Sequence, residues 1–353
     1  MNEQIKKQNF FEEIPFVRAI ACMLVVLVHT SARNYDVDHF ISDIGMYFNQ
    51  IARLGTPIFA VISAFLLTSS VIKRGFSLKK FVTSRAVKIL SPYIIWSFVY
   101  LAYNKIILGA EVFPNWKQTL DYFLLGDART HLYFIVTVIH FYILFPFLQL
   151  IRNRMALIVL FLLSTVLNYF WLKDMYPDLS VIFGEWTYII TNRSFIFNWI
   201  SFFMFGMVLA YFWKDVLKLI KKYEWIVYGM AFVLFIFVFM EIQPGVVLSS
   251  SRVENLFYIP VFVIFLLLVS TYVIKQPMLF KPFKLIGDYS MGIYLVHPLV
   301  LIFIEKLLPN LFVRALGIST AFTLAMIISV LIIKGISLLP KSTFIVPIPK
   351  VKK

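Results

Sequence analysis

A single cysteine, Cys22, stands among 353 residues, so the chain cannot close an intramolecular disulfide or build a cysteine metal site. A lone thiol of this kind packs as a small apolar side chain and says nothing of redox compartment. Charge is scarce too, at 14% of residues against roughly 25% in soluble domains. None of the five histidines falls in a metal-ligand spacing such as H-x-x-x-H, so no metal is expected. Neither a Walker A sequence nor a G-x-S-x-G elbow occurs, which excludes nucleotide-driven transport and the usual serine hydrolase. Long hydrophilic stretches are absent as well. With no soluble domain to carry a basic stripe, the net charge of +15 does not point to nucleic acid. No fixed-period repeat, low-complexity segment or interdomain linker is visible, and no cleavable signal peptide is expected at the polar start.

What the chain has in abundance is apolar surface. Hydrophobic residues make up 61%, with 38 Phe, 18 Tyr and 7 Trp, and the mean hydropathy is +0.85. Ten runs approach the length of about twenty residues that a helix needs to cross a bilayer. They lie near Phe16–Ala32, Ile51–Ile72, Val87–Leu108, Leu132–Leu150, Met155–Leu172, Phe195–Trp213, Trp225–Met240, Leu256–Ile274, Ile286–Ile304 and Gly317–Leu339. The seventh is the shortest. The runs are continuously apolar rather than alternating, which argues against barrel strands. The expected fold is all-α: a polytopic integral membrane protein of about ten transmembrane helices, one domain over 1–353, embedded in the lipid bilayer.

Charge placement orients it. With the N-terminus in the cytoplasm, the inside segments hold Lys6, Lys7, Lys73, Arg74, Lys79, Lys80, Arg85, Lys88, Arg152, Arg154, the four lysines at 214–222, Lys275, Lys281, Lys284 and the five from Lys334 to Lys353. That is 22 of the 33 basic residues, so the positive-inside rule predicts both termini cytoplasmic. The clusters also attract anionic lipid headgroups.

Within this frame Arg18 and His29 stand out. A helix turns 100° per residue, so eleven steps return them to within about 20° of one another, separated by roughly 16 Å along the axis. Ionisable residues in an apolar span are costly and mark functional sites by default. A neutral His29 can take a proton from a hydroxyl as general base; the alternative is an interfacial histidine bonded to water or lipid. Arg18 needs an anionic partner or a route to water, and snorkelling to the headgroups is the competing reading. Arg53 opens the second span near the level of His29, where Gly55 and Pro57 loosen the first turn. Arg85 and Lys88 share a face at i, i+3 at a cytoplasmic helix start. That pair can hold phosphate groups or serve only as topogenic charge. His131, His297 and the kink expected at Pro298 lie toward the outer side; His140 and His39 carry no assigned role.

Five stretches in order resemble the membrane-bound acyltransferase family 3, the O-acyltransferases of envelope polysaccharides and related acceptors. Arg18 with His29 is similar to the R-x10-H signature of that family. Arg53 to Phe65 resembles its R-x-x-x-P-x-F…S-G-F block, with Ala64 for Gly. Phe81 to Tyr93 resembles its F-x-x-x-R-x-x-[RK]-[IL]-x-P-Y block, with one extra residue before the Pro. His131 to Phe134 is similar to H-L-W-F, with Tyr133 for Trp, and Tyr289 to Pro298 to its Y-S-x-x-x-Y-L-x-H-P block. The resemblance extends to an intercellular-adhesin-type subgroup associated with polysaccharide synthesis, for which export is the competing activity. It implies a bacterial plasma-membrane enzyme that passes an acyl group from cytoplasmic acyl-CoA, with acetyl-CoA the expected co-substrate, to a hydroxyl of an extracytoplasmic cell-envelope glycan. In that reading His29 is the base or a transient acyl carrier and Arg53 orients the site or steadies the oxyanion. Arg85, Lys88 and Arg18 then receive the phosphates of the donor. A homo-oligomer, a polysaccharide-synthesis complex, a lipid-linked sugar exporter and a scaffold without chemistry all remain open.

Overall fold

The computed structural model describes residues 11–36, 39–40, 43–151, 153–173, 182, 184–243 and 246–347. Lys6, Lys7, Arg152, Lys350, Lys352 and Lys353, used above for orientation, lie outside the described residues. The fold is all-α and polytopic. Its only ladder among the described residues is a two-residue antiparallel pair, Tyr35 with Phe40 and Asp36 with His39. Among the described residues eight helices are long and apolar enough to span a membrane, or nine when one sharply bent pair is counted as a span.

Helix α1, Glu13–Ser31, runs through the centre of the bundle. It packs against α2 (Asp43–Ala52), α3 (Gly55–Arg74), α12 (Asn255–Val273), α13 (Pro277–Leu307) and α14 (Ala315–Ser337). Its pairing with α13 is parallel and in constant register. Arg18 meets Ser290 and Arg33 meets Glu305, each across an offset of 272 positions. The same offset relates Pro15 to Gly287, where an added Cβ would come within 2.0 Å of the Pro15 carbonyl oxygen. Only glycine allows the two backbones so close. The two helices therefore run side by side in the same direction.

Three elements depart from the expected spans, each for a local reason. The third begins early, as α4 (Leu78–Arg85), and passes through a π-helical turn at Ala86–Leu90 into α5 (Ser91–Ile107). The Ser91 amide donates to the Ala86 carbonyl, five residues back. The extra residue noted ahead of Pro92 is thus absorbed as a wide turn. Helix α6, Trp116–Leu124, follows, and α7, Tyr133–Leu148, is only 16 residues long, about 24 Å. After α8, Arg154–Lys173, the sixth apolar run is not one straight helix: α9, Ile200–Tyr211, bends by 86° into α10, Trp213–Lys222. Trp213 and Ile220 of α10 are buried, and its lysines, at i, i+4, i+7 and i+8, are exposed. Helix α11, Glu224–Glu241, precedes α12.

The ninth run is longer than expected, because α13 continues unbroken through Pro282 and Pro298 over 31 residues. The lipid-facing helices α8 and α11 expose Leu162, Leu163, Phe170, Phe232 and Phe239. The core lies between α1, α3, α7, α9, α12 and α13, with Phe65, Phe141, Phe203 and Trp199 fully buried.

Candidate active site

Three histidines from three helices converge at one end of this core. His29 ends α1, His131 immediately precedes α7, and His297 lies in α13. Their ring centroids are 5.2 Å apart for His29 and His297, 5.6 Å for His131 and His297, and 6.2 Å for His29 and His131. His131 and His297 are buried, whereas His29 is only partly so. The Tyr100 and Tyr294 rings stand 5.2 and 5.3 Å from His131. Tyr294 donates its hydroxyl to the His131 carbonyl, and Tyr100 donates to the Leu295 carbonyl at 2.7 Å. Both tyrosines therefore fix backbone and leave the imidazoles alone.

The protonation of His297 follows from its neighbour. Its Nδ1 lies 2.9 Å from the Ile293 carbonyl oxygen, which can only accept, so Nδ1 carries the proton and Nε2 keeps its lone pair. The Tyr294 carbonyl, deprived of its helical amide by Pro298, faces the same ring. His297 Nε2 and both ring nitrogens of His131 are buried with no hydrogen-bond partner among the described residues. A buried polar nitrogen left open costs free energy and calls for an explanation.

Arginines surround the cluster. Arg53 donates from Nε and Nη2 to Asn49 Oδ1 at 3.1 and 2.9 Å, and Asn49 Nδ2 donates to the Val28 carbonyl at 3.0 Å. This chain ties Arg53 to the turn that bears His29. Arg33 donates to the His29 carbonyl at 2.7 Å and pairs with Glu305 at 2.8 Å. Arg193 lies over the Tyr133 ring, 4.4 Å from its centroid. Its turn is held down by Trp199 Nε1 on the Arg193 carbonyl (2.7 Å) and by Thr137 Oγ1 on the Ser194 carbonyl (2.9 Å). The charges of Arg33, Arg53 and Arg193 all bear on His29. Developing negative charge is favoured in such a place.

The other expected site residues sit away from the histidines. Arg18, on the face of α1 that it shares with His29, turns both Nε and Nη2 onto Ser290 Oγ, at 3.2 and 2.8 Å. Ser290 lies two turns before His297 in α13, so α1 and α13 carry the polar stripe together. Arg85 lies half-buried over the Tyr142 ring, 5.6 Å from its centroid, while Lys88 is exposed on the π turn. The π-helical turn that begins at Ala86 separates the two residues. A narrow cavity of about 50 Å³ lies between the two ends, with Ile89 and Tyr142 on the Arg85 side and Tyr294 on the histidine side.

Residues 11–334 match a protein-family profile described as "Acyltransferase domain". The chain belongs to the membrane-bound acyltransferase family 3. As a member it is an acyltransferase that moves groups other than aminoacyl groups, and a multi-pass bacterial membrane protein. Among curated proteins it is similar to the "Probable poly-beta-1,6-N-acetyl-D-glucosamine export protein" of Staphylococcus aureus, 27% identical over 301 residues and 82% of each chain. The protein of the same name from Staphylococcus epidermidis is 25% identical over 302 residues, 82% of this chain and 81% of that one. No solved structure matches. In this acyltransferase the charge pattern of the sequence marks out His29 and Arg53, while His131 and His297 stand in family-like stretches that assign them no role. Their signal was depth, since each stands at the same level of its span. Arg33, Arg193 and Tyr100 carried no pattern that marks them out.

Proposed function

We propose that this acyltransferase moves an acyl group, acetyl in the first instance, from cytoplasmic acyl-CoA to a hydroxyl of an extracytoplasmic cell-envelope glycan. The observation that carries this reading is the cluster of three histidines with open imidazole nitrogens, beside a cavity lined by Tyr142, the ring under Arg85, and by Tyr294, the ring next to His131. Arg85 and Lys88 receive the donor phosphates, with Arg18 further along the stripe. Side-chain movement at Phe59, Phe134 and Met291, which line the cavity, admits the thin thioester arm. His29, only partly buried, receives the proton of the acceptor hydroxyl. Arg53 steadies the negative charge that develops on the carbonyl oxygen. Both termini then face the cytoplasm, and 1–353 acts as one domain.

The printed names of the relatives favour a second reading, export of a β-1,6-linked N-acetylglucosamine polymer. A cavity of about 50 Å³ has room for a few waters. The deciding experiment is release of CoA thiol from acetyl-CoA by purified protein in nanodiscs, with a β-1,6-linked N-acetylglucosamine oligosaccharide as acceptor. Acetyl-CoA consumption with O-acetyl product supports the transferase. Absence of both, alongside binding of the oligosaccharide, moves the assignment to export.

A further inference from the structure

The three histidines differ in ways that divide the chemistry among them. His29 is partly buried and keeps some exposed surface, which the other two histidines lack. His297 is fully buried, one turn beyond Tyr294, which closes the cavity reaching up from the Arg85 side. Its Nδ1–H is committed to the Ile293 carbonyl, so the orphaned Nε2 is the atom with a lone pair. His131 carries one N–H in its neutral form, and neither ring nitrogen has a partner among the described residues. A fully buried imidazole with an open lone pair beside a less buried one makes a two-station arrangement.

We propose that His297 carries the acyl group and His29 only accepts the proton of the acceptor, so that transfer proceeds in two half-reactions. This rests on the transferase reading given above. In the first half, His297 Nε2 forms a bond to the thioester carbonyl carbon while the free N–H of His131 bonds the oxyanion. The carbon–sulfur bond then breaks, and CoA leaves as a thiolate that takes a proton on the cytoplasmic side. The acyl-imidazolium keeps its Nδ1 proton on the Ile293 carbonyl. In the second half, the acceptor hydroxyl gives its proton to His29, and its oxygen bonds the acyl carbon. The carbon–Nε2 bond breaks, returning the lone pair to His297, and His29 releases its proton to outside water. The two stations are neighbours, with ring centroids 5.2 Å apart.

The test is a rapid-quench measurement of CoA release from acetyl-CoA without acceptor, in nanodiscs, on wild type, His29→Ala and His297→Gln. The expected result is a stoichiometric burst in wild type and in His29→Ala, none in His297→Gln, and glycan acetylation in wild type alone. Acetyl-CoA binding checks that His297→Gln is folded. If that variant does not fold, peptide mapping of the quenched wild-type protein decides the matter, with the acetyl group expected on the α13 peptide holding His297. A burst lost in His29→Ala and kept in His297→Gln, or an acetyl group found on the α1 peptide, overturns the assignment. Steady turnover with no burst in wild type also overturns it, in favour of direct transfer. A wild-type protein that never releases CoA defeats the transferase reading itself, and the two failures are thereby distinguished.

Discussion

At the scale of single residues, the activity should divide sharply between the two ends of α1. His29→Ala removes the proposed proton acceptor, and glycan acylation measured in nanodiscs should fall by about 10²- to 10⁴-fold with membrane insertion unchanged. Arg18→Lys should be poor as well, since an ammonium cannot place two donors on the Ser290 hydroxyl as the guanidinium does. At the donor end, Arg85→Ala should raise the apparent acetyl-CoA constant by roughly one to two decades, the worth of one charge-assisted contact. Binding by wild type and variant, side by side, checks this, and equal binding would remove Arg85 from the donor site. His29, Arg18 and Arg53 were legible in the sequence because a charge within or beside an apolar run is conspicuous. His297 and His131 were visible only as motif members. That their rings meet at 5.6 Å depends on how α7 and α13 lie beside one another, and residue spacing along one chain does not encode it.

At the scale of elements, the apolar runs fixed most of the helices, and the misses fall where hydropathy is blind. The π turn at Ala86–Leu90 is as apolar as a regular helix and differs only in hydrogen-bond register. The bend between α9 and α10 follows from a change from uniform to one-sided apolarity after Phe212. The continuation of α13 back to Pro277 escaped notice because its first turns are polar enough to look like a loop. The parallel contact of α1 with α13 yields a prediction of its own. Gly287→Ala would drive a methyl into the Pro15 carbonyl oxygen, 2.0 Å from the ideal Cβ position. Overpacking of this kind costs about 1–3 kcal/mol, and the thermal transition of the detergent-solubilised protein should fall accordingly. The activity of whatever remains folded should fall too, because the same contact sets Ser290 against Arg18. Gly229→Ala, where nothing lies within 4 Å of the added carbon, is the control and should leave both unchanged.

At the scale of the whole molecule, orientation is the property on which the chemistry turns, and the lone cysteine makes it measurable. Cys22 is buried, so it contributes little background to thiol labelling. Asp36→Cys should react with an impermeant maleimide in intact cells, and Lys79→Cys should react only after the membrane is opened. The reverse pattern would put His29 in the cytoplasm and remove the outward-facing acceptor site.

The narrow cavity has an electrical consequence. Its walls are Phe59, Ile89, Phe134, Ile135, Val138 and Met291, relieved only by Ser63, Tyr142 and Tyr294, so it offers protons no continuous wire of water. In the two half-reactions proposed above, a thiolate protonated on one side and a hydroxyl deprotonated on the other would leave each turnover one elementary charge out of balance across the membrane. An inside-negative potential of 100 mV opposes that displacement by roughly 2.3 kcal/mol. In proteoliposomes clamped with potassium and valinomycin, acylation should slow as the interior is made negative and recover when the potential is collapsed. A living cell would then set the pace of this modification through its membrane voltage, so that envelope acylation follows the energetic state of the membrane as well as the supply of donor.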